Sequence, residues 1–101
     1  MPSEPLSQKE IEDRLRELPG WAFEDDRILR TYRLGTHVAA GALVAHIVAV
    51  QDELNHHADV TLGYDTVRLA VNTHSAGDAV TETDFELAQR IEGIAPAHGA
   101  G

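Results

Sequence analysis

The sequence predicts an α+β domain in which a four-stranded antiparallel sheet carries three helices on one face. Two capping-box patterns predict helices near the two ends of the chain, and two pairs of short segments predict strands. A long apolar segment between the pairs predicts a central helix. Strands joined by short turns pair antiparallel, and helices in this number cover one sheet face. The predicted order is α-β-β-α-β-β-α.

The first helix is predicted to begin at Ser7. Ser7-Gln8-Lys9-Glu10 is a capping-box sequence, in which the Ser7 and Glu10 side chains each satisfy a backbone N–H of the first turn. Apolar residues recur at helical spacing from Ile11 to Leu18, and Pro19-Gly20 ends the helix. Residues 1–5 form a polar, proline-containing lead that we expect to be flexible.

Two hairpins and a long helix are predicted for the middle of the chain. Residues 21–24 and 28–34 predict the first hairpin, and residues 60–64 and 66–74 predict the second. Polar and apolar residues alternate in the last of these segments, which is typical of a half-buried strand. Residues 36–55 predict a helix that is apolar on most of its surface, which indicates a central position or contact with a second subunit.

The last helix is predicted from Thr81-Glu82-Thr83-Asp84, a second capping-box pattern, and from apolar residues at helical spacing up to Ile91. Residues 95–101 follow as a tail that we also expect to be flexible. A chain of 101 residues without a dividing linker predicts a single domain over residues 1–101.

Composition excludes several classes of function. The chain has no cysteine, which removes disulfides, thiolate catalysis and cysteine-based metal sites. Its net charge of −9 disfavours nucleic acid and anionic membranes as partners. The N-terminus shows no signal-peptide pattern, and the apolar stretch 38–50 is too short to span a bilayer. We therefore expect a soluble, cytoplasmic protein.

Three histidines are candidates for chemistry: the adjacent pair His56-His57 at the end of the long helix, and His74 at the end of a predicted strand. Any single histidine is more often a surface or hydrogen-bonding residue. Together, three imidazoles can supply an acid and a base near neutral pH, or can bind a metal. Adjacent ligands are less usual than the i, i+4 pairs of zinc-binding helices, so acid–base chemistry ranks above a metal hydrolase.

Two aspartates lie near these histidines in the predicted structure. Asp84 is three residues after Thr81, where a carboxylate caps the helix N-terminus, and that capping role is preferred for it. Asp52 lies four residues before His56, on the same face of a helix, so it can orient His56 or remain a solvated surface acid.

The spacing of these residues resembles the signature of the pterin-4a-carbinolamine dehydratases. That signature has an acidic or polar residue four before a His-His pair, then an aromatic residue, a further His and an Asp. The residues at compatible positions here are Asp52, His56, His57, Tyr64, His74 and Asp84. The resemblance extends over essentially the whole chain. It departs at residues 58–60, where Ala-Asp-Val replaces the usual Pro-acid-Trp and leaves the chain after the pair less restrained.

The resemblance implies dehydration of 4a-hydroxytetrahydropterin to quinonoid dihydropterin, a step of pterin recycling for aromatic amino acid hydroxylation. It implies His56 and His74 as the leading acid–base residues and His57 as an assisting one. It places a further set of residues beside the pterin: Asp52, Asn55, Ala58, Thr73, Ser75 and Ala76. Tyr64 and Asp84 complete the motif as structural residues.

The family needs no metal and no dissociable cofactor, and its members form homodimers or homotetramers. The alternative is a non-catalytic relative that acts in assembly or in binding other proteins. Retention of His56, His57 and His74 favours the enzyme, whereas the altered segment 58–60 keeps the alternative open.

Overall fold

A computed structural model describes residues 4–101 of the chain. It confirms the α+β class and the order α-β-β-α-β-β-α. The elements are α1 Gln8–Leu15, β1 Ala22–Glu24, β2 Arg27–Arg33, α2 His37–Leu54, β3 Asp59–Leu62, β4 Thr66–Val71 and α3 Glu82–Ile94. Short 3₁₀ helices cover His74–Ala76 and Ala95–His98. None of the helices within residues 4–101 is long and apolar enough to cross a membrane.

The predicted capping box at the start of α1 is confirmed. Ser7 Oγ accepts the Glu10 backbone N–H at 3.1 Å, and Glu10 Oε1 accepts the Ser7 backbone N–H at 3.0 Å. These bonds satisfy two of the backbone donors that a helix start leaves open. Ile11 then enters the core on the buried side of α1.

The four strands form one antiparallel sheet in the order β1-β2-β4-β3. β4 is therefore a central strand. Its residues Val67, Leu69 and Val71 are buried on one sheet face, while Arg68 is exposed on the other. This confirms the predicted alternation. The buried side chains of α2 and α3, such as Leu43, meet the covered face in a single core.

A carboxylate on α3 joins that helix to the sheet. Glu92 accepts hydrogen bonds from Trp21 Nε1 at 2.7 Å, Tyr32 OH at 2.5 Å and Arg30 Nε at 3.2 Å. Burial raises the pKa of Glu92, but the hydrogen bonds from Tyr32, Trp21 and Arg30 outweigh burial, so the pKa lies below its ordinary value. Burial, together with the hydrogen bond to Glu92, raises the pKa of Tyr32, so its phenol stays protonated.

The predicted elements differ from the structure mainly in two regions, the C-terminal residues and the end of the second hairpin. Residues 95–101 do not form a free tail: Ala95 is buried, and Gly101 and Arg33 exchange backbone hydrogen bonds of 3.0 Å. The second hairpin's last strand ends at Val71, before His74. Of the predicted flexible lead, Glu4 and Pro5 are exposed and outside any element, and residues 1–3 lie outside the described part of the chain.

Candidate active site

The histidine pair follows directly on the end of α2. Asn55 adopts the left-handed conformation with φ 52°, which ends the helix, and the His56 N–H donates to Gln51 O at 3.1 Å. Asparagine is among the few residues that adopt this conformation readily. His56 and His57 therefore do not continue the helix, and the spacing rules of a regular helix do not apply to them.

A buried side chain of α2 fixes the segment after the pair. Gln51 is buried, and its Oε1 accepts the backbone N–H of Ala58 at 2.8 Å. The proline that the family usually has at this position carries no N–H and cannot make this bond. The sequence predicted a less restrained segment here, whereas the structure shows a hydrogen bond that restrains it.

His56 contacts Asp84 in the interior. The distance from His56 Nε2 to Asp84 Oδ1 is 2.5 Å, and the side chains are 13% and 0% exposed. An ionised carboxylate only accepts hydrogen bonds, so Nε2 carries the hydrogen and donates it. This leaves Nδ1 as the ring nitrogen that can take up or release a proton. Asp84 therefore has a second contact in addition to capping the start of α3, which is the role that the sequence predicted for it.

The second oxygen of Asp84 is also fully used. Asp84 Oδ2 accepts the Thr81 backbone N–H at 2.8 Å, at the start of α3, and the Thr73 hydroxyl at 3.0 Å. Since Thr73 Oγ1 donates its only hydrogen to Asp84, its 2.8 Å contact with Thr81 Oγ1 is a hydrogen bond donated by Thr81. The network compensates the buried charge with three donors and ties the ends of β4 and α2 to α3.

His74 directly follows Thr73, a member of this network, and lies in a loop. Thr73 pairs with Ala79 across an isolated bridge, and the residues between them form a short 3₁₀ helix and a turn. His74 Nδ1 lies 2.5 Å from Asp78 Oδ1, with the side chains 89% and 65% exposed. Nδ1 donates to this carboxylate, which leaves Nε2 free. The structure places His74 in a loop rather than at a strand end.

His57 has a looser partner. Its Nε2 lies 3.7 Å from Asp52 Oδ1, and both side chains are mostly exposed. The sequence offered Asp52 as a residue that orients His56, but it pairs with His57 because the left-handed Asn55 turns the chain between them. Each of the three candidate histidines thus faces one aspartate, and sequence reasoning did not single out Asp78.

A cleft of about 270 Å³ lies between the end of α2 and the His74 loop. It is lined by Asn55, His56, His57, Asn72, Thr73, His74 and Ser75. The structure therefore brings the three histidines to one cleft, together with Asn55, Thr73 and Ser75 from the predicted binding set. Asp52, Ala58 and Ala76, from the same predicted set, do not line it.

Asn72 is a lining residue that sequence reasoning missed. Its Nδ2 donates to Asp26 O at 3.3 Å and to Asp78 O at 3.1 Å, so it ties the β1–β2 turn to the His74 loop. A polar residue two positions before His74 on the exposed parity of β4 was the available signal. Tyr64 lies away from the cleft, 79% exposed and stacked on His37.

Metal-binding potential was the other hypothesis for the histidines. Within residues 4–101, no group of three or more His, Cys, Asp or Glu side chains is arranged to hold a metal ion. The geometry that is present consists of separate histidine–aspartate pairs, which suits proton transfer.

Comparison with known proteins shows the family of this chain. Residues 4–94 match the family model of the pterin 4 alpha carbinolamine dehydratases. A protein of Streptomyces avermitilis that bears the family name is 68% identical over 99% of both chains, and one of Streptomyces coelicolor is 61% identical over the same shares. The crystal structure of a transcriptional coactivator/pterin dehydratase from Brucella melitensis superposes with a TM-score of 0.85 at 28% identity, covering 90% of this chain and 98% of that one.

A more distant structure shares the fold. It is a pterin dehydratase-like protein identified as a RuBisCO assembly factor in the alpha-carboxysome, with a TM-score of 0.60 and 15% identity. The match covers 73% of this chain and 84% of that one, and it supports the fold alone. The fold is that of a small α+β domain with a cleft lined by three histidines. The chain belongs to the pterin-4a-carbinolamine dehydratase family.

Proposed function

We propose that this protein dehydrates 4a-hydroxytetrahydropterin to quinonoid dihydropterin and water by histidine acid–base catalysis. The single observation that carries the proposal is the convergence of His56, His57 and His74 on one cleft of about 270 Å³. The reaction removes a hydroxyl from C4a and a proton from N5. It therefore needs one donor and one acceptor on either side of a bound ring, and two imidazoles can supply both near neutral pH.

His56 is suited to act as a base through Nδ1. Its Nε2–H is held by the buried carboxylate of Asp84 at 2.5 Å, so the ring orientation is fixed and Nδ1 is the free nitrogen. A carboxylate at that distance in a poorly solvated site also stabilises the positive charge that the ring acquires when it accepts a proton. Asp84 is then a positioning residue, because it acts through His56.

His74 is suited to act as the acid towards the departing hydroxyl. Its exposed position and its pairing with Asp78 leave Nε2 directed away from the carboxylate and able to exchange protons with water. The acid and base roles of His56 and His74 can be exchanged, and the same two residues then carry the reaction. His57, whose contact with Asp52 is long and exposed, is a binding or assisting residue.

The remaining lining groups are suited to hold the flat, polar edge of a pterin. Asn55, Asn72, Thr73 and Ser75 supply amide, hydroxyl and backbone groups around the cleft. Such rings carry several donors and acceptors, and a few convergent polar groups fix the orientation of a ligand in a pocket. The proposal includes a role in pterin recycling for aromatic amino acid hydroxylation. It also includes a cytoplasmic setting, since a chain without cysteine requires no oxidising compartment.

Self-association into a homodimer or homotetramer is part of the proposal. The outer side of α2 exposes apolar and small residues instead of the usual polar surface: Val38 is 81% exposed, Val48 is 44% exposed, and Ala42, Ala45 and Ala49 are also exposed. An apolar helix face of this kind fits a contact between subunits. Sedimentation of the purified chain measures the number of subunits, and a monomer at micromolar concentration would contradict this part.

An activity assay tests the central proposal. An aromatic amino acid hydroxylase generates the 4a-hydroxypterin, and its dehydration is followed by absorbance with and without this protein. We expect a protein-dependent acceleration that survives treatment with a chelator. A folded sample that produces no acceleration would refute the enzymatic proposal, and loss of activity on chelation would favour a metal-based mechanism.

The same assay separates the second candidate, a non-catalytic assembly or binding protein. The altered segment 58–60 favours this candidate, since it departs from the family directly beside the histidine pair. Retention of all three histidines in one cleft favours the enzyme. A protein that binds reduced pterin without accelerating dehydration would have the non-catalytic role.

A further inference from the structure

The face of the sheet that the helices leave open carries a second pocket. It has a volume of about 200 Å³ and is lined by Arg27, Asp59, Thr61, Arg68 and Ala70. The strand register explains its shape: Arg68 on β4 lies directly across from Thr31 on β2 and from Thr61 on β3. Ala70, two residues further along β4, has a side chain too short to fill the space between the two guanidinium groups.

Arg68 is distinguished by its lack of a counter-charge. Each of the other arginines, at positions 14, 16, 27, 30, 33 and 90, has a carboxylate oxygen within 4.0 Å. Within residues 4–101, Arg68 has no such partner, although the chain has 17 acidic residues and 8 basic ones. A guanidinium without a carboxylate partner, between the cross-strand neighbours Thr31 and Thr61, is therefore exceptional on this acidic protein.

Arg27 adds a second charge that is only weakly engaged. Its closest carboxylate is that of Asp59, at 4.0 Å, and the Asp59 side chain is 87% exposed. An exposed ion pair of this length contributes little, so a bound anion can replace Asp59 as the partner of Arg27. Two guanidinium groups facing one small cavity are the arrangement that binds phosphate, because the planar fork of arginine matches the phosphate oxygens.

The pocket adjoins the histidine cleft. Asn72 lines the cleft and lies one residue past the end of β4, two residues after Ala70 and about 7 Å further along the chain. Asn72 also donates to the carbonyl of Asp26, the residue before Arg27. On the other side, Asp59 is two residues after His57. A ligand seated in the cleft can therefore extend a side chain over Asn72 into the pocket.

We propose that Arg27 and Arg68 bind a phosphate group carried on the side chain of the pterin substrate. This rests on the proposed function and names phosphorylated pterins as the preferred members of its substrate class. The Asp59 carboxylate repels an anion in this pocket. A ligand group therefore binds only if it carries enough negative charge to replace Asp59 as the partner of Arg27. The net charge of −9 repels anions in general, so the two arginines have to offset that field locally for phosphate to bind.

Calorimetric titration at low ionic strength tests the proposal with a matched pair of probes, 6-hydroxymethylpterin and its phosphate monoester. We expect the ester to bind about tenfold more tightly or better, the gain typical of one added charge-assisted contact. In Arg68→Gln the ratio of the two affinities falls towards one, and in Asp59→Asn it increases. Arg16→Gln, which removes an exposed charge just after the C-terminal end of α1, leaves the ratio as in the wild type.

Equal affinity for the two probes in the wild type, or a ratio that Arg68→Gln does not change, overturns the proposal. If neither probe binds, the assignment of a phosphorylated substrate fails, and the dehydration assay decides separately whether the proposed function stands. Inorganic phosphate, followed by amide NMR shifts, then decides whether the anion site itself stands. Saturable shifts at β3 and β4 that disappear in Arg68→Gln would support the anion site. The absence of saturable shifts in the wild type would refute it.

Discussion

Two histidine–aspartate pairs at the cleft have the same separation and opposite surroundings. The nitrogen–oxygen distance is 2.5 Å in both His56–Asp84 and His74–Asp78. The first pair joins residues 28 positions apart and excludes solvent from the carboxylate, whereas the second joins residues four apart and is open to water. Distance alone therefore does not measure what each pair contributes.

The difference is one of solvent screening. In water a pair of opposite charges gains little, because both charges lose hydration and the field between them is screened. In the interior the same pair is strongly coupled, and removing one partner leaves the other without compensation. The buried pair thus fixes the orientation of His56 and part of the fold, while the exposed pair selects the tautomer of His74 and leaves the fold unaffected.

The largest effect is expected for Asp84→Asn. The amide places an N–H₂ group where the site supplies three donors, so at least one of them loses its acceptor. We expect the free energy of unfolding to fall by about 3 kcal/mol or more, measured by urea denaturation. Asp52→Asn, the same change in an exposed pair, should cost less than about 0.5 kcal/mol. Equal losses in the two variants would show that burial does not distinguish the pairs.

Alanine at the two histidines separates activity from stability. Both His56→Ala and His74→Ala should lower the dehydration rate by about 10² or more, since each removes a proton-transfer group. Only His56→Ala should also lower the free energy of unfolding, by about 1–3 kcal/mol, because it leaves Asp84 with an unused buried oxygen. Rates and urea midpoints measured on the same preparations test this. Full activity in both variants would refute the site assignment.

Glu92 provides an intermediate case on the same helix as Asp84. Its side chain is 29% exposed and its pKa is lowered by the hydrogen bonds from Tyr32, Trp21 and Arg30, against the effect of burial. A lowered pKa in the folded state stabilises the protein above the ordinary value of 4.5, and this stabilisation is lost as the pH falls through the folded-state pKa.

Glu92→Gln should therefore destabilise the protein by about 1–3 kcal/mol at neutral pH. The difference from the wild type should shrink below pH 4.5, where the carboxylate becomes protonated first in the unfolded state. Thermal unfolding of both proteins from pH 7 down to pH 3 measures the difference. A cost that stays constant over this range would mean that shape, not charge, determines the role of Glu92.

The fold could be predicted from the sequence because its signals are local. Each signal depends on residues that are close in sequence. The structure confirms the Ser7–Glu10 capping box, the alternation along β4 and the long apolar helix α2. The tail was wrongly predicted because the burial of Ala95 and the pairing of Gly101 with Arg33 depend on residues distant in sequence. Composition at a chain end does not carry that information.

The site was predicted as a set of residues but not as a set of contacts. His56 and Asp84 were both named, yet their contact depends on how α2 and α3 pack, which spacing does not show. Of the two roles left open for Asp52, orientation of His56 was wrong because a single left-handed residue, Asn55, invalidated the helical spacing; Asp52 is an exposed acid near His57. Asn72 and Gln51 act through hydrogen bonds to backbone atoms, so their side-chain type alone gave little signal.

The smallest effect is expected for Asp78→Asn. Asparagine tolerates the left-handed conformation that Asp78 adopts at φ 60°, and its amide oxygen can still accept the Nδ1 hydrogen of His74. Only the charge is lost, and at 65% exposure an ion pair contributes about 0.2–1 kcal/mol. We expect unchanged urea stability and a loss of kcat/KM of less than about fivefold, which is what 1 kcal/mol allows.

The dependence of kcat/KM on ionic strength gives a second test of the Asp78→Asn prediction. Because the His74–Asp78 pair is exposed, its contribution should decrease as ionic strength increases, so wild type and Asp78→Asn should converge in kcat/KM at 1 M salt. The matched Asp84→Asn variant should not converge, since the buried pair is screened much less. A loss above a hundredfold in Asp78→Asn, persisting in salt, would mean that a bound substrate shields the His74 loop from water and makes the two pairs equivalent during the reaction.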